Sequence, residues 1–283
     1  MLPVVLSLAC ALTYGAADYF GGLASRRATM FAVVLISQSA GLIALLAVLP
    51  FLGGHAGGRD YALGAIGGVF GAGGIALLYR GLAIGRMGVV SPITAVLAAL
   101  TPVLYALARG DRSTLITGFG MAGALVAVVL ISRGPHSDEV GSLDWRLGLP
   151  PGVAEAVGSG IVLGGFFIAL SAIDRGAGLA PLVSARLASI ATIGLGAVAL
   201  RQTLAAPRNV LPTILVSGVL DMTANVFFVL AARSGMLSIV AVVSSLYPAA
   251  TIALAGMFLH ERLTPVQWAG VGCALAGVAL IAL

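Results

Sequence analysis

The chain has 283 residues, of which 60% are hydrophobic and 9% charged, and its mean hydropathy is +1.11. This composition excludes an ordinary soluble domain, because the apolar runs recur along the whole chain and a soluble core could not bury them all. The net charge of +5 comes from 15 arginines without any lysine, so Schiff-base chemistry and a P-loop lysine are excluded, and the scattered arginines form no patch for nucleic acid.

The first half of the chain predicts five membrane-spanning helices, since each apolar run is near the roughly 20 residues that a bilayer requires. The third run carries glycines at every third or fourth position, which predicts a groove for a neighbouring helix. The last two runs form a hairpin whose turn is Asp111–Thr114. The predicted helices cover about 3–23, 29–52, 61–84, 88–110 and 115–131.

The second half predicts five further helices after a polar segment. Residues 133–148 form the only clearly polar segment of the sequence and are interpreted as a linker between two domains, 1–132 and 149–283. The final two helices again form a hairpin, with its charged turn at 260–263. The predicted helices cover about 150–173, 181–200, 210–232, 237–259 and 266–283.

The two terminal hairpins share one plan, which indicates an internal duplication. Nine positions separate Glu261 from Gly270, and nine separate Asp111 from Gly120. An odd number of helices per copy inserts the two copies in opposite orientations. We therefore predict an all-α membrane protein of about ten transmembrane helices, built as two inverted five-helix repeats, with its functional site near the midplane between them.

Ionisable residues inside the apolar runs are the first candidates for that site, because a charge in the hydrocarbon is costly and needs a reason to be there. Asp18, Arg186 and Asp221 meet this criterion, and we expect Arg186 to pair with Asp221 or Asp18. Other interpretations stay open: Asp18 at the interface, Asp221 as a structural hydrogen-bonding residue, and Glu155 as an ordinary charge at a helix N-terminus.

Several uncharged or terminal residues are further candidates for a substrate or proton pathway. Aromatic residues can equally be packing or interfacial residues, and Arg80 can either meet a substrate carboxylate or extend to the membrane surface. With the three charged residues, the predicted pathway comprises Tyr14, Asp18, Gln38, Tyr79, Arg80, Arg186, Asp221, Asn225 and Tyr247.

Motifs in the second half resemble the drug/metabolite transporter superfamily, in particular the EamA-type ten-helix permeases. They are Leu246-Tyr247-Pro248, the segment from Leu259 to Thr264, the glycine-rich last helix from Gly270 to Gly277, and Arg186 in the seventh helix. The first half departs from this pattern, since Ser37 or Gln38 stands near the place of a second arginine.

The resemblance implies a secondary transporter that exports or exchanges a small polar or amphipathic metabolite, such as an amino acid, by alternating access and with protons as a coupling ion. It implies a multi-pass protein of the cell membrane with cytoplasmic termini, although the count of loop arginines mildly favours the opposite orientation. We follow the resemblance on orientation. The expected partners are a small molecule, the lipid bilayer and protons; no cofactor and no metal are expected, and monomer and homodimer both stay open.

Two other classes of membrane protein compete with a transporter. A channel-like or structural protein would share this composition. An intramembrane enzyme would need a zinc motif or a catalytic dyad, but the chain has no H-E-x-x-H sequence, and its three histidines fall in predicted loops or turns. Asp18 and Asp221 form the one conceivable dyad, without supporting motif residues, so we expect no enzyme.

Overall fold

The computed structural model describes residues 1–51, 54–85, 87–110, 115–132, 151–259 and 264–282. Within them lie eleven α-helices and two single-turn 3-10 helices, and no strand. The α-helices are α1 (Leu2–Ser25), α2 (Met30–Val48), α3 (Gly58–Ile84), α4 (Met87–Ala108), α5 (Leu115–Ser132), α6 (Val153–Ser171), α7 (Ala180–Ala199), α8 (Leu211–Ser234), α9 (Leu237–Ser244), α10 (Tyr247–Leu259) and α11 (Pro265–Ala282).

The predicted all-α membrane fold is confirmed. Six helices of the described chain (α1, α2 with the turn after it, α3, α6, α7 and α8) are long and apolar enough to cross a bilayer. Shorter apolar helical stretches cover Ile93–Ala108, Gly118–Ala127 and Leu237–Thr251. The predicted turns 111–114 and 260–263 and the predicted linker 133–148 lie outside the described residues, so the domain boundaries stay a prediction.

The ninth predicted helix differs from the expected continuous rod. The structure divides 237–259 into α9 and α10, which meet at Ser245 and Leu246. Pro248 is the second residue of α10 and has no N–H to donate to the preceding turn. Taken as one crossing, α9 and α10 bring the count to the ten predicted helices.

Several helices begin where their sequences favour it. Proline stands in the first turn of α1, α7 and α8, where a missing N–H leaves no hydrogen bond unmade. The Thr29 side chain caps α2 by accepting a hydrogen bond from the Ala32 N–H at 3.2 Å.

The packing of the helices has a pseudo-twofold pattern. α1 packs on α8 as α6 packs on α3, and α1 packs on α9 and α10 as α6 packs on α4. α2 meets α7, and α5 meets α11. Equivalent helices of the two halves therefore make equivalent contacts. Because each half crosses the membrane five times, the two repeats have opposite orientations.

Glycines fix the register of these helix contacts. A side chain on Gly68 of α3 would overlap the carbonyl oxygen of Ala185 in α7, and one on Gly218 of α8 would overlap the carbonyl oxygen of Ser37 in α2. Close backbone approach at small residues is how membrane helices pack tightly. Gly68 and Gly218 therefore occupy equivalent positions in the two repeats, and so do Ala185 and Ser37.

The two ends of the bundle are held by different contacts. At the first face, where α1, α3 and α7 begin, the Asp60 carboxylate accepts hydrogen bonds from the N–H of Gly57 (2.9 Å) and of Asp174 (3.0 Å), which joins the two halves. Arg233 donates to the carbonyl of Gly178 in the same loop. We call this set, Asp60 with Gly57, Asp174, Gly178 and Arg233, the Asp60 clasp.

At the second face, where α2, α6 and α8 begin, the corresponding loops are joined by a neutral hydrogen bond. The Thr29 hydroxyl donates to the carbonyl of Thr203 at 2.8 Å.

Candidate functional site

A cavity lies between the two halves. The space between its lining atoms, counted together with the part that is open to solvent, is about 650 Å³. Helices from both repeats form its walls. Its lining residues are Tyr14, Asp18, Gln38, Gly68, Gly71, Ile75, Leu78, Ala98, Leu163, Phe166, Phe167, Leu182, Ala185, Arg186, Ser189, Asp221, Asn225 and Tyr247.

Arg186 is the central cation of the cavity, and 6% of it is exposed. Its Nη2 lies 2.6 Å from Asp221 Oδ2, its Nη1 donates to Gln38 Oε1, and its Nε lies 3.2 Å from Met222 Sδ. Of the two partners that the sequence left open, the ion pair forms with Asp221. This pairing compensates both buried charges, since either alone would be costly.

A hydrogen-bonded network extends from this pair to α1. The Asn225 amide donates to the Asp221 backbone carbonyl at 2.7 Å and approaches Asp221 Oδ2 at 3.4 Å. The Tyr14 hydroxyl donates to Asn225 Oδ1 at 2.9 Å. Side chains from α1, α2, α7 and α8 are thereby held in one connected arrangement, which orients the polar wall of the cavity.

Asp18 stands apart from this network. It lines the cavity and is only 8% exposed, yet its carboxylate has no hydrogen bond or ion pair within the described part of the chain. Ser189, one turn beyond Arg186, also lines the cavity, and its hydroxyl has no partner among the described residues. Buried polar groups normally have partners, so these two are candidates for contact with a ligand.

The remaining predicted pathway residues lie in different places. Tyr247 lines the cavity beside Tyr14, with ring centroids 6.3 Å apart. Tyr79 is buried but is not among the lining residues, and its hydroxyl shares a hydrogen bond of 3.0 Å with the Ser217 hydroxyl.

Arg80 lies outside the cavity lining as well. Its side chain is 57% exposed, and its Nε lies 3.3 Å from the carboxylate of Glu155 in the first turn of α6. A screened, exposed pair of this kind contributes little to stability.

Sequence patterns did not indicate the aromatic residues that α6 contributes to the cavity. Phe166 and Phe167 of α6 line the cavity, and the Phe167 ring lies edge-on to Tyr14 at a centroid distance of 6.1 Å. The adjacent Phe166-Phe167 in an apolar run looks like ordinary packing. Their special position becomes visible only when equivalent residues of the two repeats are compared.

When equivalent positions of the two repeats are compared, one side of the cavity is polar and the other side is apolar. Ala185 and Ser37 occupy equivalent positions in the two repeats, so the residues that follow them, Arg186 and Gln38, are equivalent too. Three residues after the equivalent glycines Gly218 and Gly68, Asp221 is equivalent to Gly71. Seven residues from the same glycines, Asn225 corresponds to Ile75.

The same relation holds for α1 and α6. Side chains at Gly15 and Gly164 would overlap Tyr247 of α10 and Thr101 of α4, which occupy corresponding places one residue before a proline. Tyr14 then corresponds to Leu163, and Asp18 to Phe167. The polar wall lies on α1, α7 and α8, and its apolar counterpart on α3 and α6.

Among the described residues, no group of three or more histidine, cysteine, aspartate or glutamate residues could hold a metal ion. The expectation that the protein uses no cofactor stays a prediction.

Comparisons with known proteins agree with this architecture. The model of the EamA-like transporter family matches residues 1–133 and 150–283, one match for each half. A solved structure, described only as the crystal structure of a protein, is similar with a TM-score of 0.67 at 16% identity, over 96% of this chain and 95% of its own. At that identity the likeness shows the fold alone. A comparison with curated proteins finds no match.

Two inverted helical repeats around a central cavity define the class of multi-pass membrane transporters. The chain belongs to the EamA-like transporter family, within the drug/metabolite transporter superfamily. The resemblance found in the sequence is thereby confirmed. Members of this family are transporters rather than enzymes.

Proposed function

We propose that the protein is a secondary carrier that exports or exchanges a small polar or amphipathic metabolite by alternating access. The observation that carries this proposal is the cavity between the inverted repeats, in which a buried ion pair stands beside an unpartnered carboxylate. A purely structural polar cluster would have its groups satisfied, whereas the Asp18 carboxylate and the Ser189 hydroxyl, on residues that line the cavity, have no partner among the described residues.

Proton coupling is part of the proposal. Asp18 is the exchangeable acid, because Asp221 is already engaged by Arg186 and Asn225. When Asp18 is ionised it binds substrate, and when it is protonated it releases substrate, so proton and substrate exclude each other. The other titratable or charged groups facing Asp18 from the helices around it are Tyr14, Tyr79, Arg186, Asp221 and Tyr247.

We place the protein in the cell membrane with its termini in the cytoplasm, following its family resemblance. Substituted-cysteine labelling from each side of intact cells checks this orientation. Labelling of a cysteine in place of Arg109, at the first face, by an impermeant reagent added outside would contradict it.

Counterflow in proteoliposomes tests the carrier function. Vesicles preloaded with an unlabelled metabolite mixture should take up a labelled metabolite of that mixture faster than empty vesicles, because exchange returns a loaded carrier. Arg186→Gln should abolish this acceleration. Uptake that is indifferent to preloading would identify a channel and overturn the proposal.

A further inference from the structure

We infer that the preferred substrate of this cavity is a small organic cation whose positive group pairs with Asp18 and whose apolar body lies against α3 and α6. This inference rests on the proposed carrier function and names the substrate class of the same site.

The charge of the lining favours a cation. The acids and bases among the described lining residues are Asp18, Asp221 and Arg186. Asp221 and Arg186 neutralise each other at 2.6 Å. An ionised Asp18 therefore leaves the cavity with a net negative charge, and in a medium of low dielectric constant that charge attracts a cation and repels an anion.

Arg186 is poorly placed to reverse this preference. Its guanidinium already donates to Gln38, Asp221 and Met222, so a substrate carboxylate would compete with a close internal carboxylate. Asp18 has no such internal competitor within the described residues. A zwitterion would gain an ion pair at Asp18, but its carboxylate would have to lose its hydration beside an arginine that is already paired with Asp221, which is costly.

The walls add the second half of the specificity. One turn from Asp18, Tyr14 presents an aromatic ring, and the rings of Phe167 and Tyr247 lie within 6.3 Å of the Tyr14 ring. Aromatic faces attract cations as well as apolar groups. On the α3 and α6 side of the cavity, Leu163 and Ile75 occupy the places where the other repeat has Tyr14 and Asn225. The ligand that fits both walls carries its charge at one end.

A series of three probes that share a phenyl ring and a two-carbon chain tests the inference. Phenethylamine is a cation, 3-phenylpropionate is an anion, and phenylalanine combines both groups. Binding to the purified full-length protein in detergent is measured by calorimetry at neutral pH. We expect phenethylamine to bind at least about tenfold more tightly than either of the others, since its cationic group meets an unpaired buried carboxylate.

Asp18→Asn is the informative variant, and Glu155→Gln is its matched control, since the latter removes a carboxylate charge outside the cavity. Asp18→Asn should weaken phenethylamine binding about tenfold or more and erase the preference among the probes, whereas Glu155→Gln should preserve both. Size-exclusion profiles and melting temperatures verify that both variants fold. A preference retained by folded Asp18→Asn, or a wild-type preference for phenylalanine or 3-phenylpropionate, overturns the inference.

The pH dependence of the wild-type protein keeps the inference testable if Asp18→Asn fails to fold. Protonating Asp18 removes its charge, so phenethylamine affinity should fall as the pH is lowered from about 8 to about 5, where the amine stays charged. The other two charged groups of the cavity, Asp221 and Arg186, are paired with each other at 2.6 Å, so we assign the pH response to the unpaired Asp18 carboxylate. Affinity that is constant or rises on acidification overturns the inference.

Exchange measurements distinguish a failure of the cation site from a failure of the proposed carrier function. Asp18-dependent binding of phenethylamine without accelerated exchange would support the cation site and reject the carrier. Accelerated exchange of phenylalanine, with no exchange of phenethylamine, would support the carrier and reject the cation site.

Discussion

At the scale of single residues, the cavity is organised by one buried arginine. Arg186 comes from α7, and its partners Gln38 and Asp221 come from α2 and α8. A buried ion pair is weak support for stability in itself, but removing one partner leaves an uncompensated charge. Neutralising either Arg186 or Asp221 alone should therefore destabilise the protein more than neutralising both.

A double-mutant comparison of this pair gives the first residue-scale prediction. Arg186→Gln or Asp221→Asn alone should lower the free energy of unfolding by about 3–5 kcal/mol, because each leaves a buried charge unpaired. The double variant, with both charges neutralised, should recover a large part of that loss. Unfolding is followed by thermal denaturation in detergent, with Glu155→Gln as the control, expected to change stability by about 1 kcal/mol or less. A double variant less stable than either single variant would contradict the pairing.

The sequence revealed the charged residues and missed their setting. Arg186, Asp221 and Asp18 are conspicuous because charges inside apolar runs are rare. The choice between Asp221 and Asp18 as the partner of Arg186 depends on which helices are neighbours, and periodicity carries no such information. Phe167 was missed because a phenylalanine in a membrane helix has many packing roles, and its equivalence to Asp18 is visible only once the packing of the two repeats is known.

At the scale of helices, glycines decide how closely the repeats approach. Gly218 meets the backbone of α2, and Gly68 meets the backbone of α7 at the corresponding place. Because the obstructing atoms are backbone carbonyl oxygens, no rotation of a side chain can make room. The register of these helix pairs, and with it the position of Gln38 and Arg186, depends on the absence of a side chain at both glycines.

Alanine substitutions test this dependence. Gly218→Ala and Gly68→Ala should each lower the free energy of unfolding by about 1–3 kcal/mol, since overpacking forces the backbones apart. Gly194→Ala is the matched control within α7, where a methyl group would meet nothing within 4 Å. Because alanine has a higher helix propensity than glycine, Gly194→Ala should leave the free energy of unfolding unchanged or raise it by up to about 1 kcal/mol. Equal effects at all three glycines, measured by thermal denaturation, would contradict a packing role.

Helix number followed from the apolar runs, but helix continuity did not. α4 remains one helix through Pro102, whereas the chain is divided just before Pro248. A proline removes the same N–H in both places. Whether the helix then bends, or separates into two, depends on the surrounding packing, which the local sequence does not specify.

At the scale of the whole molecule, two copies of one backbone plan enclose a cavity that is not symmetric in its chemistry. The duplication was predictable from the spacing of the hairpin turns, and the inversion from the odd number of helices. The division into a polar and an apolar wall was not, because it appears only when residues such as Asp18 and Phe167 are matched through their packing partners. The ends of the molecule show a similar asymmetry, with the Asp60 clasp at the first face and a neutral Thr29 hydrogen bond at the second.

That asymmetry predicts unequal resistance to opening. Asp60→Ala removes the carboxylate that accepts the Asp174 N–H across the halves and the Gly57 N–H within the first half, so the first face should open more often. The reporter is a cysteine in place of Leu182, which lines the cavity near the start of α7, in a chain whose native cysteines are replaced by alanine. Labelling by an impermeant maleimide should be several-fold faster with Asp60→Ala, because losing the hydrogen bond from the Asp174 N–H weakens the contact between the halves at this face.

Thr29→Val is the matched variant at the opposite face. It removes the hydroxyl that joins α2 to the Thr203 carbonyl and should leave the labelling rate at position 182 unchanged or lower it, since opening the second face competes with opening the first. If both variants accelerate labelling equally, the contacts act only on general stability. If Asp60→Ala has no effect, the clasp does not hold the first face closed, and the barrier at that end must lie in the packing of α3 against α7.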